Sequence, residues 1–376
     1  MRGAAPPLAG VKVLELARIL AGPWAGQVLA DLGADVVKVE GPAGDDTRRW
    51  GPPFIQNADG TEDAAYFHAA NRGKRSVVAD FATAEGQAQV RALAAEADVL
   101  LENFKVGGLA RYGLDYASLS ALNPRLIYCS VTGFGQDGPY AAQAGYDFIV
   151  QGMAGIMDLT GEPDGPPQKI GVAYADIMTG LYAVVAIQAA LIERERSGLG
   201  QQVDMALYDV MAGTLANQAM NYLVSGRSPR RMGNAHPNIV PYAAFPAADG
   251  WFILAIGNDE QFRRFCTLMA LAPDERFATN AGRVRHREAV TERVEAVTRL
   301  WPRDRLLAEL TRLGIPAGPI NTVAEAFADP QLRHRELVLS LPRAEGSPVP
   351  GIRTPIRFSR SPLALGRPSP PLGAGD

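Results

Sequence analysis

Short apolar runs alternate with amphipathic stretches through the first two hundred residues, and few folds accept that pattern. A strand is expected over 11–16, a helix through Gln27 and Leu32, and a second strand over 35–39. Further strands are expected over 76–81, 99–102 and 126–131, with a helix over 84–97 that Thr83 would cap. Strands alternating with helices imply a mostly parallel sheet covered on both faces. The expected fold class is α/β, with a Rossmann-like parallel sheet in a large domain and a smaller α+β domain after it.

Helical patterns dominate 174–195 and 208–224. The segment GRSPRRMGNAHPN (226–238) is rich in Gly, Pro and Asn and places a boundary. Beyond it, 242–245 and 251–256 flank Ala247-Ala248-Asp249-Gly250 as a hairpin. Two or three helices follow over 260–313, and a second boundary falls near 314–321. The organisation expected is a large domain over 1–225, a small α+β domain over 226–320, and a proline-rich segment over 321–376 that wraps back onto the large domain.

Composition excludes several function classes. Hydrophobic content of 47% supplies a core, while 20% charged residues and a net charge of −3 argue against disorder and against nucleic-acid binding. The thirty-two arginines are scattered among only five lysines. Cys129 and Cys266 make no disulfide framework and lack metal-site spacing, which points to a reducing compartment. The first ten residues resemble neither a signal nor a transit sequence, and no consecutive apolar run reaches the roughly 18 residues of a membrane span. The expectation is a cytoplasmic, globular protein without a membrane partner.

The chain has no GxxxxGK[ST], HExxH, GxSxG or paired CxxC. Its histidines (His68, His236, His286, His334) show no ligand spacing, so no metal is expected. Gly133, Gly135 and Gly138 form a GxGxxG, but Pro139 and Tyr140 follow, so a loop is expected and a nicotinamide enzyme is not. By position alone Asp176, ahead of an apolar helical stretch, reads as a helix N-cap.

Several blocks, in order and nearly end to end, resemble the family III CoA-transferases (CaiB/BaiF), the group of formyl-CoA:oxalate and carnitine CoA-transferases. They are LAGVKVLELARILAGPWAGQVLADLGADVVKVEGPAGDDTRRW, NRGKRSVVADF, DVLLENFKVGGLARYGLD, NPRLIYCSVTGFGQDGPY and YADIMTGLYA. The stretch from Tyr222 to Phe262 is most similar to the dicarboxylate, succinyl-CoA:glutarate branch. The resemblance implies that Asp176 is the nucleophile and that Tyr146 and Asp147 are substrate-binding positions. It implies CoA contacts at Asn103, Phe104 and Arg111, with Arg18, Arg72, Lys74 and Arg75 as further candidates. Arg48, Arg49, Arg72, Lys74 and Arg75 cluster after strand-like segments, where phosphates could dock or where ordinary ion pairs form. An interlocked homodimer is also implied.

Two departures narrow the reading. Formyl-CoA:oxalate enzymes carry a glycine run where this chain has Asn234-Ala235-His236-Pro237-Asn238, which argues against oxalate and makes Asn234 and His236 candidate substrate contacts. The related α-methylacyl-CoA racemases carry histidine at Tyr146, so the acid/base pair a racemase needs is incomplete here. The expected chemistry is CoA transfer between small carboxylic acids, of the dicarboxylate class with succinyl-CoA as donor. It would run through a mixed anhydride and an aspartyl-CoA thioester on Asp176, with acyl-CoA as substrate and no permanently bound cofactor. A racemase-type enzyme or a non-catalytic acyl-CoA-binding protein is the alternative.

Overall fold

The computed structural model describes residues 4–374. The first three residues of the N-terminal reading and the last two of the return segment lie outside the described residues. In chain order the elements begin with β1 (Lys12–Glu15), α1 (Ala21–Asp31), β2 (Asp35–Glu40), β3 (Phe54–Gln56), β4 (Glu62–Ala64), α2 (Ala65–Ala70) and β5 (Arg75–Val78). They continue with α3 (Ala84–Glu96), β6 (Val99–Glu102), α4 (Tyr116–Leu122), β7 (Ile127–Thr132), α5 (Asp147–Met153), α6 (Ile156–Leu159) and α7 (Tyr174–Ser197). Next come β8 (Gln202–Ala206), α8 (Leu207–Gly213), α9 (Ala216–Ser225), β9 (Tyr242–Pro246), β10 (Trp251–Ala255) and α10 (Asp259–Leu268). The chain ends with α11 (Asn280–Arg285), α12 (Arg287–Thr298), α13 (Arg303–Arg312), β11 (Ala317–Pro319), α14 (Val323–Ala328), α15 (Pro330–His334), β12 (Val338–Leu341) and β13 (Val349–Ile352).

Two compact units result. One holds the described residues of Met1–Ile156, Lys169–Gly226 and Gln331–Asp376, the other Met157–Gln168 and Arg227–Pro330. The first expected boundary lies one residue from the observed one. The second, expected near 314–321, is observed at 330, because β11 pairs antiparallel with β10 and so belongs to the second unit. Residues 157–168 also join that unit: Arg231 Nη1 lies 2.9 Å from Asp158 Oδ1, and Gly233 N donates to Gly161 O.

In the first unit six parallel strands are ordered β5-β2-β1-β6-β7-β8. Successive side chains of a strand face opposite sides of a sheet. Val13, Val36, Val99, Leu101 and Cys129 accordingly enter one core, and Leu14, Val37, Leu100 and Tyr128 the other. Burial on both faces is why these strands read as nearly continuous apolar runs. Strand β8 escaped the sequence reading because it is an edge strand, with alternating QVDMA in place of an apolar run. Thr83 caps α3 as expected, accepting from Gly86 N at 3.0 Å.

The expected single helix over 208–224 is two, α8 and α9, broken at Thr214 and Leu215, with Ala216 at φ 48°. By length and composition α7 reaches what a membrane span requires, although no consecutive apolar run predicted that. Ala183, Ile187 and Ala190 bury one side of α7 in the sheet's core, and Leu181, Tyr182, Val185 and Ile192 stand exposed on the other.

Beneath the loop from β1 to α1 lies a fully buried charge cluster. Lys38 Nζ sits 3.1 Å from Glu15 Oε1 and 2.9 Å from Asp45 Oδ2. Lys74 Nζ donates to Glu15 Oε1 (2.9 Å), Pro23 O (2.8 Å) and Asn71 Oδ1 (2.9 Å). Buried charges persist only when paired and bonded in this way. Helix α1 can pass over the cluster because residue 26 is glycine: a Cβ there would lie 1.8 Å from Glu15 Oε2.

After the β12–β13 hairpin the proline-rich end runs extended along the first unit, as expected. Its amides Thr354 N and Ala364 N donate to Asp31, and Gly373 N donates to Ser76 Oγ. Proline cannot extend a ladder as a donor, which suits a segment bonded only intermittently.

The second unit has a three-stranded antiparallel sheet, β11-β10-β9, and between β10 and β11 the chain forms four α-helices, α10 to α13, where two or three were expected. Thr279 opens an extra helix by capping α11. The expected β9–β10 hairpin forms, with Phe245, Phe252, Phe265, Leu306 and Leu310 at its core.

Candidate active site

A ligand of an open parallel sheet sits beyond the C-terminal ends of the strands, where the order reverses direction. Here that point lies between β1 and β6. The loops leaving these two strands are tied together: Arg18 N donates to Asn103 Oδ1 (2.8 Å) and Asn103 Nδ2 donates to Arg18 O (2.7 Å). The Arg18 guanidinium stands 5.5 Å from the centre of the Phe104 ring. Phe104 packs on Phe81, Phe81 on Tyr112, and Arg111 lies over Tyr112 at 4.5 Å. Four of the expected CoA contacts (Arg18, Asn103, Phe104, Arg111) are thus gathered at one edge, beside a small cleft also lined by Gly41, Gly44 and Phe81. Cations and ring faces together suit a planar base and its phosphates. Phe81 and Tyr112 belong to the same aromatic edge and were not singled out in the sequence; their only signal was an aromatic at a strand end and one beside Arg111.

Arg72, Lys74 and Arg75 are corrections. They enter or begin β5, where Arg75 lies in register with Val37 of β2. Arg72 is buried against Asp31 at 2.5 Å, Lys74 is spent on Glu15, and Arg75 pairs with Asp35 at 2.6 Å. Arg48, from the same cluster, is buried between Glu40 and Asp63. Arg49 pairs with Asp46 on the surface.

Asp176 lies in the first turn of α7, half-buried, and is not that helix's N-cap: the cap position is Ala173. The capping comes from Asp147, whose Oδ1 accepts from Ala175 N at 2.8 Å and from Asp176 N at 3.3 Å. Gln151 Nε2 donates to Asp147 Oδ2 (2.8 Å) and its Oε1 accepts from Ile170 N (2.9 Å), locking the carboxylate in place. Gly133 and Gly145 allow this arrangement, since a Cβ on Gly133 would fall 2.4 Å from the Gly145 Cα. The GxGxxG stretch is a loop, as expected.

Burial, and then the neighbouring Asp147 charge, push the Asp176 carboxyl from 3.8 up to about 7. No hydrogen bond to that carboxyl is found among the described residues. Tyr66, half-buried on α2 against Trp50, is raised by burial and then by Asp176, Asp147 and Asp45, which places its phenol in the same electrostatic neighbourhood. Nothing in the sequence pattern singled it out. Carboxyls perturbed by burial and a like-charged neighbour cluster at nucleophilic and acid/base sites. Tyr146 is largely exposed, at 66%. Asp147→Asn should keep the cap while removing the charge. The acid limb of the rate against pH should then move to lower pH, which a kcat/KM profile would measure.

In the second unit Asn234 is exposed, and His236 packs its ring on Tyr242 while its Nδ1 accepts from Asn238 N at 3.1 Å. Its main-chain N donates to Tyr242 O. The loop is therefore held to β9.

The model of CoA-transferase family III matches residues 8–376. A succinate–glutarate CoA-transferase of Agrobacterium fabrum is 61% identical over 373 residues, covering 98% of this chain and 93% of that protein. A succinyl-CoA:glutarate CoA-transferase of Homo sapiens is 40% identical over 378 residues, covering 98% and 84%. A crystal structure of a CAIB/BAIF family protein from Brucella suis matches with a TM-score of 0.89 at 64% identity, covering 99% of this chain and 97% of that one. With a match of that extent to the family model, and the Asp176 and Arg18–Phe104 arrangements already in place, the chain belongs to CoA-transferase family III.

Proposed function

We propose that this CoA-transferase moves CoA from succinyl-CoA to a second small dicarboxylic acid, with Asp176 as the covalent nucleophile. The observation that carries the reading is the Asp176 carboxyl itself, half-buried in the first turn of α7, beside Asp147 and raised to about 7. Loss of its charge relieves both burial and repulsion, on the order of 4 kcal/mol or less. An acyl group neutralises a carboxylate as a proton does, so the same causes favour the acylated enzyme. The succinate end of the proposal rests on the names of the similar proteins.

In the proposed sequence an Asp176 oxygen attacks the thioester carbonyl and CoA thiolate leaves, giving a mixed anhydride. The thiolate attacks the aspartyl carbonyl, releasing the first acid and leaving aspartyl-CoA. The acceptor carboxylate attacks that thioester, and the thiolate then takes the new acyl group from the anhydride. The amides of Ala175 and Asp176 already serve Asp147, so the oxyanion must find other donors.

Peptide mapping after incubation with succinyl-CoA and hydroxylamine or borohydride trapping tests the reading. A modified peptide containing Asp176 supports it. Deuterium uptake at an α-carbon without any adduct would move the assignment to a racemase; that reading lacks support because Tyr146 is exposed and Asp147 is bonded to the start of α7. CoA binding with neither result would indicate a silent binding protein.

CoA docking at the β1–β6 crevice predicts that Phe104→Ala raises KM for acyl-CoA by about 5- to 50-fold, the loss of roughly 1–2.3 kcal/mol of stacking, with kcat less affected. Steady-state kinetics with varied acyl-CoA would measure it. The chain is also proposed to work as a cytoplasmic homodimer. The exposed Val185 and Ile192 of α7 and Leu223 and Val224 of α9 support a partner chain there. Light scattering after size exclusion should give twice the chain mass at every dilution, and a monomer would refute it.

A further inference from the structure

The loop that leaves β1 at the crevice carries a strained residue. Ile19 stands at φ 71°, in the left-handed region that a β-branched side chain rarely adopts. Such a conformation persists only where its surroundings over-determine it. Here three consecutive residues are each held by a side chain from elsewhere in the chain. Lys38 Nζ, from β2, donates to Ala17 O at 2.8 Å. Asn103, after β6, accepts from Arg18 N and donates to Arg18 O. Ile19 N is shared between Asp45 Oδ1 (3.4 Å) and Asp45 Oδ2 (3.3 Å), in the turn that follows β2.

Asp45 is itself fixed from several sides. It is buried, and its two oxygens serve four donors. Oδ1 accepts from Thr47 N (3.0 Å) and Thr47 Oγ1 (2.8 Å), Oδ2 lies 2.9 Å from Lys38 Nζ, and Ile19 N reaches both. Asp45 N donates to Glu40 Oε2 at 2.8 Å, which holds the main chain as well. Burial opposes the charge, yet Lys38 and the bonds from Thr47 outweigh it and hold the carboxyl below the usual range. The next residue, Asp46, stands 3.5 Å from Arg18 Nη1. One turn therefore meets both the guanidinium of Arg18 and the amide that follows it.

We propose that Asp45 is a positioning residue for CoA: through the Ile19 amide it keeps the β1–α1 loop in its strained form, and that form aims Arg18 across the crevice at Phe104. The inference rests on the reading that CoA docks at this crevice. Released from the carboxylate, Ile19 relaxes to negative φ, which turns the chain between Arg18 and α1 and carries the guanidinium off the Phe104 ring. The buried Lys38 then has a part in binding besides stability, because it anchors Asp45 and Ala17 O together.

Steady-state kinetics of the full chain with varied acyl-CoA test the proposal. Asp45→Asn leaves one acceptor oxygen for four donors and sets an NH₂ against the rest. It should raise KM for acyl-CoA by about 5- to 30-fold, the loss of one charge-assisted bond, with kcat within about 3-fold of the parent. Adding Ile19→Gly should recover most of that KM, because glycine takes positive φ without a clamp. A role in stability alone predicts no recovery, and that result would overturn the inference. Ile19→Pro removes the amide donor and forbids positive φ while touching no buried charge, so it should raise KM likewise. It decides the matter if Asp45→Asn does not fold, and a parent-like KM there is a refutation. Phe104→Ala separates the two readings. A raised KM in Phe104→Ala beside a parent-like KM in Asp45→Asn removes this inference alone, whereas a parent-like KM in both removes the docking reading with it.

Discussion

Asp176→Ala is expected to remove CoA transfer by at least about 10⁴-fold, because a covalent nucleophile has no substitute once its oxygen is gone. CoA binding should survive, since Arg18, Asn103 and Phe104 are held by loops that Asp176 does not touch. Asp176→Asn carries a second, independent expectation. A carboxyl raised from 3.8 to about 7 on folding binds more protons folded than unfolded between those values. It therefore lowers stability as pH rises through that window, and the penalty is full above about 7. The asparagine variant should accordingly be more stable than the parent at pH 8, by up to a few kcal/mol, with a higher unfolding temperature, and show no such gain at pH 4. Thermal unfolding at the two pH values measures this without reference to activity. In the parent, kcat/KM should rise with pH through about 7 as the nucleophile ionises. A variant that still turns over would end the assignment of Asp176.

Lys74→Met is the other large effect, and it is one of stability. Removing this cation leaves Glu15, fully buried, with Lys38 as its one remaining cation. Breaking one partner out of a buried pair costs about 3–5 kcal/mol. Burial already draws Lys74 down to about 8, so its charge is held by Glu15 against the cost of desolvation. Urea unfolding should show the loss, while KM for acyl-CoA in the folded variant stays within about 2-fold of the parent, because uniform binding contacts are intact. Adding Glu15→Gln should restore part of the stability, since the two sites are directly coupled. A large rise in KM without destabilisation would instead return Lys74 to the list of CoA contacts.

What the sequence determined by itself was the frame. Strands over 99–102 and 126–131 were legible because a strand buried on both faces must be apolar at nearly every position, and β6 and β7 are. The hairpin at Trp251, the cap at Thr83 and the return of the proline-rich end were legible for the same local reasons. Asp176, Asn103 and Phe104 stood out through the resemblance of whole blocks rather than through any spacing. Tertiary structure decided which charges face a ligand. Arg72 and Lys74 looked like phosphate contacts, yet their partners Asp31 and Glu15 lie 41 and 59 residues away in the chain. The cap of α7 was likewise assigned to Asp176 by proximity, and belongs to Asp147, 28 residues before Ala175. Local patterns report on backbone and burial, which act over a few residues. A charge's role depends on which opposite charge the fold brings within about 3 Å, and only the folded chain specifies that.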